Sequence, residues 1–125
     1  MAIPKKIHYC WFGGNPLNKR TLRYIERWKE LCPDFEFIRW DETNCDMNAN
    51  EYVRGAYQSG KWAFVSDYFR LKALYEQGGV YLDTDVELLR PFGDLLELSG
   101  FAGFEDAEHV ATCVLGACLL YTSDA

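Results

Sequence analysis

Histidine is scarce, with two in 125 residues, and none of the five cysteines forms a CxxC pair. Those absences exclude a zinc finger and a thioredoxin-like redox site, which need closely spaced ligands or thiols. Excess positive charge is missing as well. Thirteen lysines and arginines stand against nineteen acidic residues, for a net charge of −6. No basic stripe interrupts the balance, so a nucleic-acid surface, which must displace phosphate counterions, is not expected. No apolar run approaches the length of a membrane span. No signal-type apolar segment precedes Ile3, and an odd number of dispersed thiols suits a reducing compartment. The expected location is the cytoplasm, with peripheral membrane association left open. Internal repeats and low-complexity stretches are also missing.

What remains is the composition of one folded domain: 49% hydrophobic residues, 16% of all residues aromatic. A chain of this length buries roughly two-thirds of its unfolded surface, enough for one core. Its last eight residues, Cys118-Leu119-Leu120-Tyr121-Thr122-Ser123-Asp124-Ala125, read differently. One codon choice for them resembles a transposon mosaic-end adapter used in sequencing libraries. The expectation is that residues 1–117 are native and that 118–125 are translated adapter. An ordinary strand with a polar tail is the alternative. On the adapter reading the sheet is incomplete at its C-terminus and the chain is the front part of a longer domain.

Hydrophobic periodicity predicts a buried strand over Lys6 to Phe12, ended by Gly13-Gly14-Asn15-Pro16. A helix over Lys19 to Leu31 should bury Leu22, Ile25, Trp28 and Leu31, with Pro33 stopping it. Phe35 to Trp40 is apolar on both faces and reads as an inner strand. A polar loop and a short helix from Ala49 to Gln58 follow. Trp62 to Gln77 is the strongest helix, with Val65, Tyr68, Leu71, Leu74 and Tyr75 as its buried stripe. Gly78-Gly79 should end it with glycine at positive φ. Val80-Tyr81-Leu82 reads as a short strand, Pro91 to Glu97 as a turn of helix, and Phe101 to Glu105 as a strand. Strands alternating with helices predict an α/β domain with a mainly parallel sheet, whose ligands gather at the carboxyl ends of the strands.

Two acidic residues, Asp83 and Asp85, follow the short strand in Tyr81-Leu82-Asp83-Thr84-Asp85-Val86-Glu87. In an extended segment residues two apart share a face and lie about 7 Å apart. Hard carboxylate oxygens favour manganese, magnesium or calcium, and a pair of them leaves room for water and substrate phosphate. The plainer reading is a solvated acidic turn. A calcium loop with Asp83, Asp85 and Glu87 as ligands would want glycine where Leu88 stands. Asp67 and Arg70, three apart on a helix, form a routine surface pair, or else Arg70 offers its fork to a diphosphate. Trp11, beside the glycine turn, is either core or a platform for a nucleotide base. His8 reads as a strand or core residue, and His109 is uninformative.

The segments Ile3-Pro4-Lys5-Lys6-Ile7-His8-Tyr9-Cys10-Trp11-Phe12-Gly13-Gly14 and Phe64-Val65-Ser66-Asp67, with Arg70, Leu74, Gly78-Gly79, Tyr81, Leu82, Asp83 and Asp85, carry a resemblance. Together they resemble the DXD-containing sugar-binding glycosyltransferases of family 32, including those of capsular polysaccharide type. They also resemble, more distantly, the large clostridial glucosylating toxins. The resemblance implies a GT-A fold, a Rossmann-like sheet that binds a nucleotide-diphosphate sugar. It implies that Trp11 stacks on the base, Asp67 holds ribose or sugar hydroxyls, and Arg70 contacts the diphosphate. Tyr81 contributes to the donor site, Asp83 lies near ribose and metal, and Asp85 ligates the metal, manganese or magnesium. Arg70, Asp83 and Asp85 would then be the catalytic set. The implied activity is retaining transfer to a glycan or lipid-linked acceptor in bacterial surface polysaccharide synthesis, from a UDP-sugar rather than a GDP-sugar donor. A toxin-like enzyme that modifies proteins and a non-catalytic nucleotide-sugar module are the alternatives.

Overall fold

The structure, a computed structural model, describes residues 3–92, 100–104 and 110–117. The expected adapter at 118–125, His109, Glu105 and residues 93–97 of the expected helix lie outside them. Pro91 and Phe92, at that helix's start, are not helical.

Among the described residues, five strands and three helices follow in the order β1 (Lys6–Cys10), α1 (Lys19–Leu31), β2 (Glu36–Trp40), α2 (Glu51–Gln58), α3 (Trp62–Gln77), β3 (Gly79–Leu82), β4 (Gly100–Phe104) and β5 (Val110–Ala117). They form one sheet in the order β2-β1-β3-β5-β4. β1 pairs in parallel with β2 and with β3, Ile7 lying opposite both Phe37 and Val80. β5 then runs antiparallel to β3, and β4 antiparallel to β5. The sheet thus has a parallel half, made by the two βα crossovers, and an antiparallel margin. β5 has no counterpart in the sequence expectations. Its text, Val-Ala-Thr-Cys-Val-Leu-Gly-Ala, lacks a clean two-residue alternation.

Side chains alternate across the sheet, and the two faces build two cores. Ile7, Tyr9, Val80 and Leu82 pack with Ile25 and Trp28 of α1. Cys10 and Tyr81 pack on the opposite face with Val53 and Ala56 of α2 and Val65, Phe69 and Leu74 of α3. This is a sheet with helices on both faces. It also explains why β2 misleads. Phe35 and Phe37 pack toward the first core and Trp40 toward the second, so both faces are apolar although β2 is the edge strand of the described sheet.

Both long helices match the expected bounds, and their ends show why. The Asn18 side chain accepts the Thr21 N–H at the start of α1, and Asn50 does the same for Val53 in α2. α3 ends at Gly78, with φ +67° and ψ −167°, an extended positive-φ conformation open essentially to glycine alone. Gly79 follows at φ +106°, and a Cβ there would meet the Lys6 carbonyl oxygen at 2.7 Å. The buried faces differ from expectation. α1 buries Thr21, Ile25 and Trp28, while Leu22 is exposed. α3 buries Val65, Phe69, Arg70, Ala73 and Leu74, leaving Leu71 and Tyr75 more than half exposed and Tyr68 half-buried. α3 is turned so that Arg70, and not Leu71, faces inward beside Leu74. No described helix is long and apolar enough to cross a membrane.

Candidate functional site

Parallel strands β1 and β3 end side by side, and the segments leaving them form the floor of a cleft of about 810 Å³. Its lining includes every residue expected in the donor and metal site: Trp11, Asp67, Arg70, Tyr81, Asp83 and Asp85. Trp11 follows β1 in a loop fixed by its own indole N–H, which donates to the Asn15 carbonyl at 2.6 Å. Asp67 and Arg70 come from the second and third turns of α3, and Tyr81 is the last residue but one of β3.

The acidic pair is built otherwise than expected. The chain does not stay extended past Leu82. The Val86 N–H donates to the Asp83 carbonyl at 3.0 Å, closing a turn over Asp83-Thr84-Asp85-Val86. The turn, rather than strand alternation, brings both carboxylates to the cleft. Trp28, fully buried in α1, anchors it by donating its indole N–H to the Val86 carbonyl at 2.9 Å. Among the described residues Glu87 does not gather with Asp83 and Asp85 into a group of three side chains that could hold a metal.

Polar contacts run across the cleft wall. Arg70 Nη2 donates to Asp67 Oδ1 at 2.6 Å, its side chain 10% exposed against 45% for Asp67. The Arg70 guanidinium lies 5.4 Å from the centre of the Tyr81 ring, within cation–π range. The Tyr81 hydroxyl donates to Asp83 Oδ1 at 2.6 Å. Burial raises the Asp83 pKa, with Asp85 and Asp67 adding to the rise, while the Tyr81 bond and the Arg70 charge oppose it. Burial likewise pushes the Tyr81 phenol up, so it remains a donor at neutral pH. Burial first, then Cys45 nearby, pushes the Cys10 thiol up to about 12. Cys10 lines the cleft, but as an inert thiol rather than a nucleophile.

His8 is a core residue, as expected, and has no atom in the cleft lining. Its Nδ1 accepts the Trp40 indole N–H at 3.0 Å, so Nε2 carries the proton and donates to the Gly78 carbonyl at 2.8 Å. Burial lowers its pKa, in keeping with a neutral ring.

Several lining residues had no role in the sequence reading: Arg20, Thr21, Trp62, Ser66 and Thr84. Thr21 and Arg20 sit in the first turn of α1, Trp62 and Ser66 near the start of α3. A helix that follows a parallel strand runs back along the sheet, so its first turn lies beside strand carboxyl ends. That rule, applied to the two long helices, would have found the four on helices, whereas Thr84 comes from the turn between the two aspartates.

Residues 18–102 match the family described as glycosyltransferase sugar-binding region containing DXD motif. Inositol phosphoceramide mannosyltransferase 3 of Schizosaccharomyces pombe is 29% identical over 92% of this chain and 33% of its own length. The initiation-specific alpha-1,6-mannosyltransferase of Candida albicans is 29% identical over 78% of this chain and 28% of its own. Subversion of eukaryotic traffic protein A of Legionella pneumophila is 28% identical over 74% of this chain and 18% of its own. The chain therefore spans a third or less of these three relatives. Among solved structures, one titled PaToxG Glycosyltransferase superposes with a TM-score of 0.77 at 17% identity, over 95% of this chain and 55% of that one. The shared architecture is the GT-A fold.

Proposed function

The chain belongs to the family of DXD-containing glycosyltransferase sugar-binding regions, and from that premise we propose that its cleft binds a nucleotide-diphosphate sugar for metal-dependent transfer to a glycan or lipid-linked acceptor. The observation that carries this is the gathering of Trp11, Asp67, Arg70, Tyr81, Asp83 and Asp85 around one cleft at the strand ends.

Each residue type suits one part of the donor. Trp11 offers an aromatic face for the base, worth about 1–3 kcal/mol in comparable stacks. Arg70, held between Asp67 and the Tyr81 ring, presents a guanidinium, whose planar fork suits diphosphate oxygens. Asp67 keeps carboxylate surface exposed for ribose or sugar hydroxyls. Asp83 and Asp85 form a two-carboxylate donor set of the kind that leaves phosphate and water to complete the shell of manganese or magnesium. Such an ion, once bound, supplies positive charge against the departing diphosphate. Glycosyl transfer passes through an oxocarbenium-like state, and Arg70 is placed to stabilise the same departing charge. With the Cys10 thiol protonated, no described side chain stands out as a covalent nucleophile. Retention, which the family resemblance implies, would then require acceptor attack on the face the diphosphate leaves, and a trapped glycosyl-enzyme would contradict that route.

The finer reading is a UDP-sugar donor and a cytoplasmic role in bacterial surface polysaccharide synthesis. The names of the two fungal relatives favour mannose as the transferred sugar, which stands as a second reading. Titration of the chain with UDP, GDP and CDP, with and without manganese, tests the proposal through tryptophan fluorescence. Saturable, manganese-dependent binding of one nucleotide is expected. Trp11→Ala should weaken it with or without metal, and Asp85→Asn should abolish only the metal-dependent part. Binding indifferent to both substitutions would overturn the assignment.

A further inference from the structure

Trp62, which opens α3, is 37% exposed and lines the same cleft as Trp11. Its ring lies against the backbone of Gly13. A Cβ at Gly13 would come within 2.9 Å of the indole Cε2, and Gly13 adopts φ +108°. Only glycine permits that approach. The same peptide is held from the other side. Glu42 Oε2 accepts the Gly13 N–H at 2.7 Å and the Tyr57 hydroxyl at 3.2 Å. The Tyr57 ring packs against Trp62 with centroids 5.3 Å apart at 58°. The loop after β1 and α2 thus meet the indole directly, and Glu42, from the turn after β2, ties those two together. Such an arrangement fixes a large ring whose open face contributes nothing to the core. Partly exposed, immobilised aromatics at a cleft are the pattern of a ligand platform.

We infer that Trp62 is a second nucleobase contact that sets base specificity, with Glu42 as its positioning residue. The inference rests on the donor-binding reading above. Trp62, against Gly13, and Trp11, two residues before it, border the same turn in the same cleft, so on the reading that puts Trp11 on the base this turn is the base end. An indole there limits the length of the base slot. Trimming it opens space that a two-ring purine uses better than a one-ring pyrimidine.

Calorimetry on the full chain with manganese tests this, using UDP, GDP and inorganic pyrophosphate as probes. Pyrophosphate reports the phosphate end alone. Trp62→Ala should weaken UDP roughly 10- to 100-fold, the loss of one base–aromatic stack. It should leave pyrophosphate unchanged and move the UDP-to-GDP affinity ratio toward GDP. Trp62→Phe, which keeps a ring, should fall between Trp62→Ala and the parent and guards against loss of fold. Glu42→Ala should reproduce the selective loss more weakly. Glu42→Gln should restore binding, since its carbonyl still accepts both hydrogen bonds. Equal losses for UDP and pyrophosphate would mean a structural role and would overturn the inference, as would an unchanged UDP-to-GDP ratio. If the parent chain bound pyrophosphate but no nucleotide, this assignment would fail while the metal site stood. Failure to bind either probe would sink the donor reading itself, and this inference with it.

Discussion

Replacing Tyr81 by phenylalanine removes one oxygen and leaves the ring in place. Tyr81 is 1% exposed, so the phenyl ring keeps its packing and its place under Arg70. What disappears is the 2.6 Å hydrogen bond to Asp83. Bonds to a charged acceptor are worth about 1.5–3 kcal/mol, and Asp83 is only half-buried, so solvent keeps the loss near the lower bound. At about 1.4 kcal/mol per tenfold, manganese-dependent nucleotide binding should weaken about tenfold, the scale expected when a partner of a metal ligand is removed. The pH profile provides the sharper test. Burial already raises the Asp83 pKa, so protons compete with metal in a less acidic range than at an ordinary carboxylate. The Tyr81 bond opposes that rise, and without it the binding midpoint should move further toward alkaline pH. Stability runs in the opposite sense. A carboxyl whose folded pKa lies above its unfolded value costs stability when ionised, and the cost disappears as pH falls through the folded value. The metal-free variant should therefore gain more from acidification than the parent. Fluorescence titrations with manganese across a pH series, alongside urea unfolding, measure both. An unchanged binding midpoint in Tyr81→Phe would refute the claim that this bond tunes a metal ligand.

Three further outcomes follow from the geometry. Asp85→Asn alters an exposed side chain, so urea unfolding should move by no more than about 0.5 kcal/mol while metal-dependent binding is lost. Trp28→Phe deletes the N–H that anchors the Val86 carbonyl and leaves a void in the first core. Unfolding should show a loss of about 2–3 kcal/mol, with manganese affinity falling although Trp28 lies outside the cleft lining. Gly79→Ala forces a Cβ to within 2.7 Å of a backbone oxygen at φ +106°, and thermal unfolding should reveal a cost above about 2 kcal/mol.

Element ends were easier to read than element faces. The bounds of α1 and α3 follow from asparagine before one and glycine after the other, local signals that act within a few residues. The buried face of α3 is set by what lies opposite. Arg70 turns inward to the Tyr81 ring and Asp67, so the register shifts and Leu71 and Tyr75 face solvent. No count of apolar residues anticipates a helix that buries its arginine. β2 misled for a related reason: Phe37 on one face and Trp40 on the other each pack against a core, which hides its place at the sheet edge. The candidate site was legible wherever a short segment carried it, as at Asp67–Arg70 and Asp83–Asp85. Trp62 was not, because its place in the cleft depends on Gly13, Glu42 and Tyr57, which are scattered along the chain. The turn that aims the acidic pair depends on Trp28, 58 residues before the carbonyl it anchors.

The buried His8 reaches further than a core contact. One ring nitrogen takes its hydrogen bond from the end of β2, and the other gives one to the corner between α3 and β3. β1 leads on to Trp11, α3 carries Arg70, and β3 leads on to Asp83, so a single imidazole joins the supports of all three. Opening of any one support would strand a buried polar atom shared with the others. Backbone amides near Trp40, Gly78 and His8 should therefore exchange with solvent as one cooperative unit, and the two ends of the cleft should be lost together rather than one at a time.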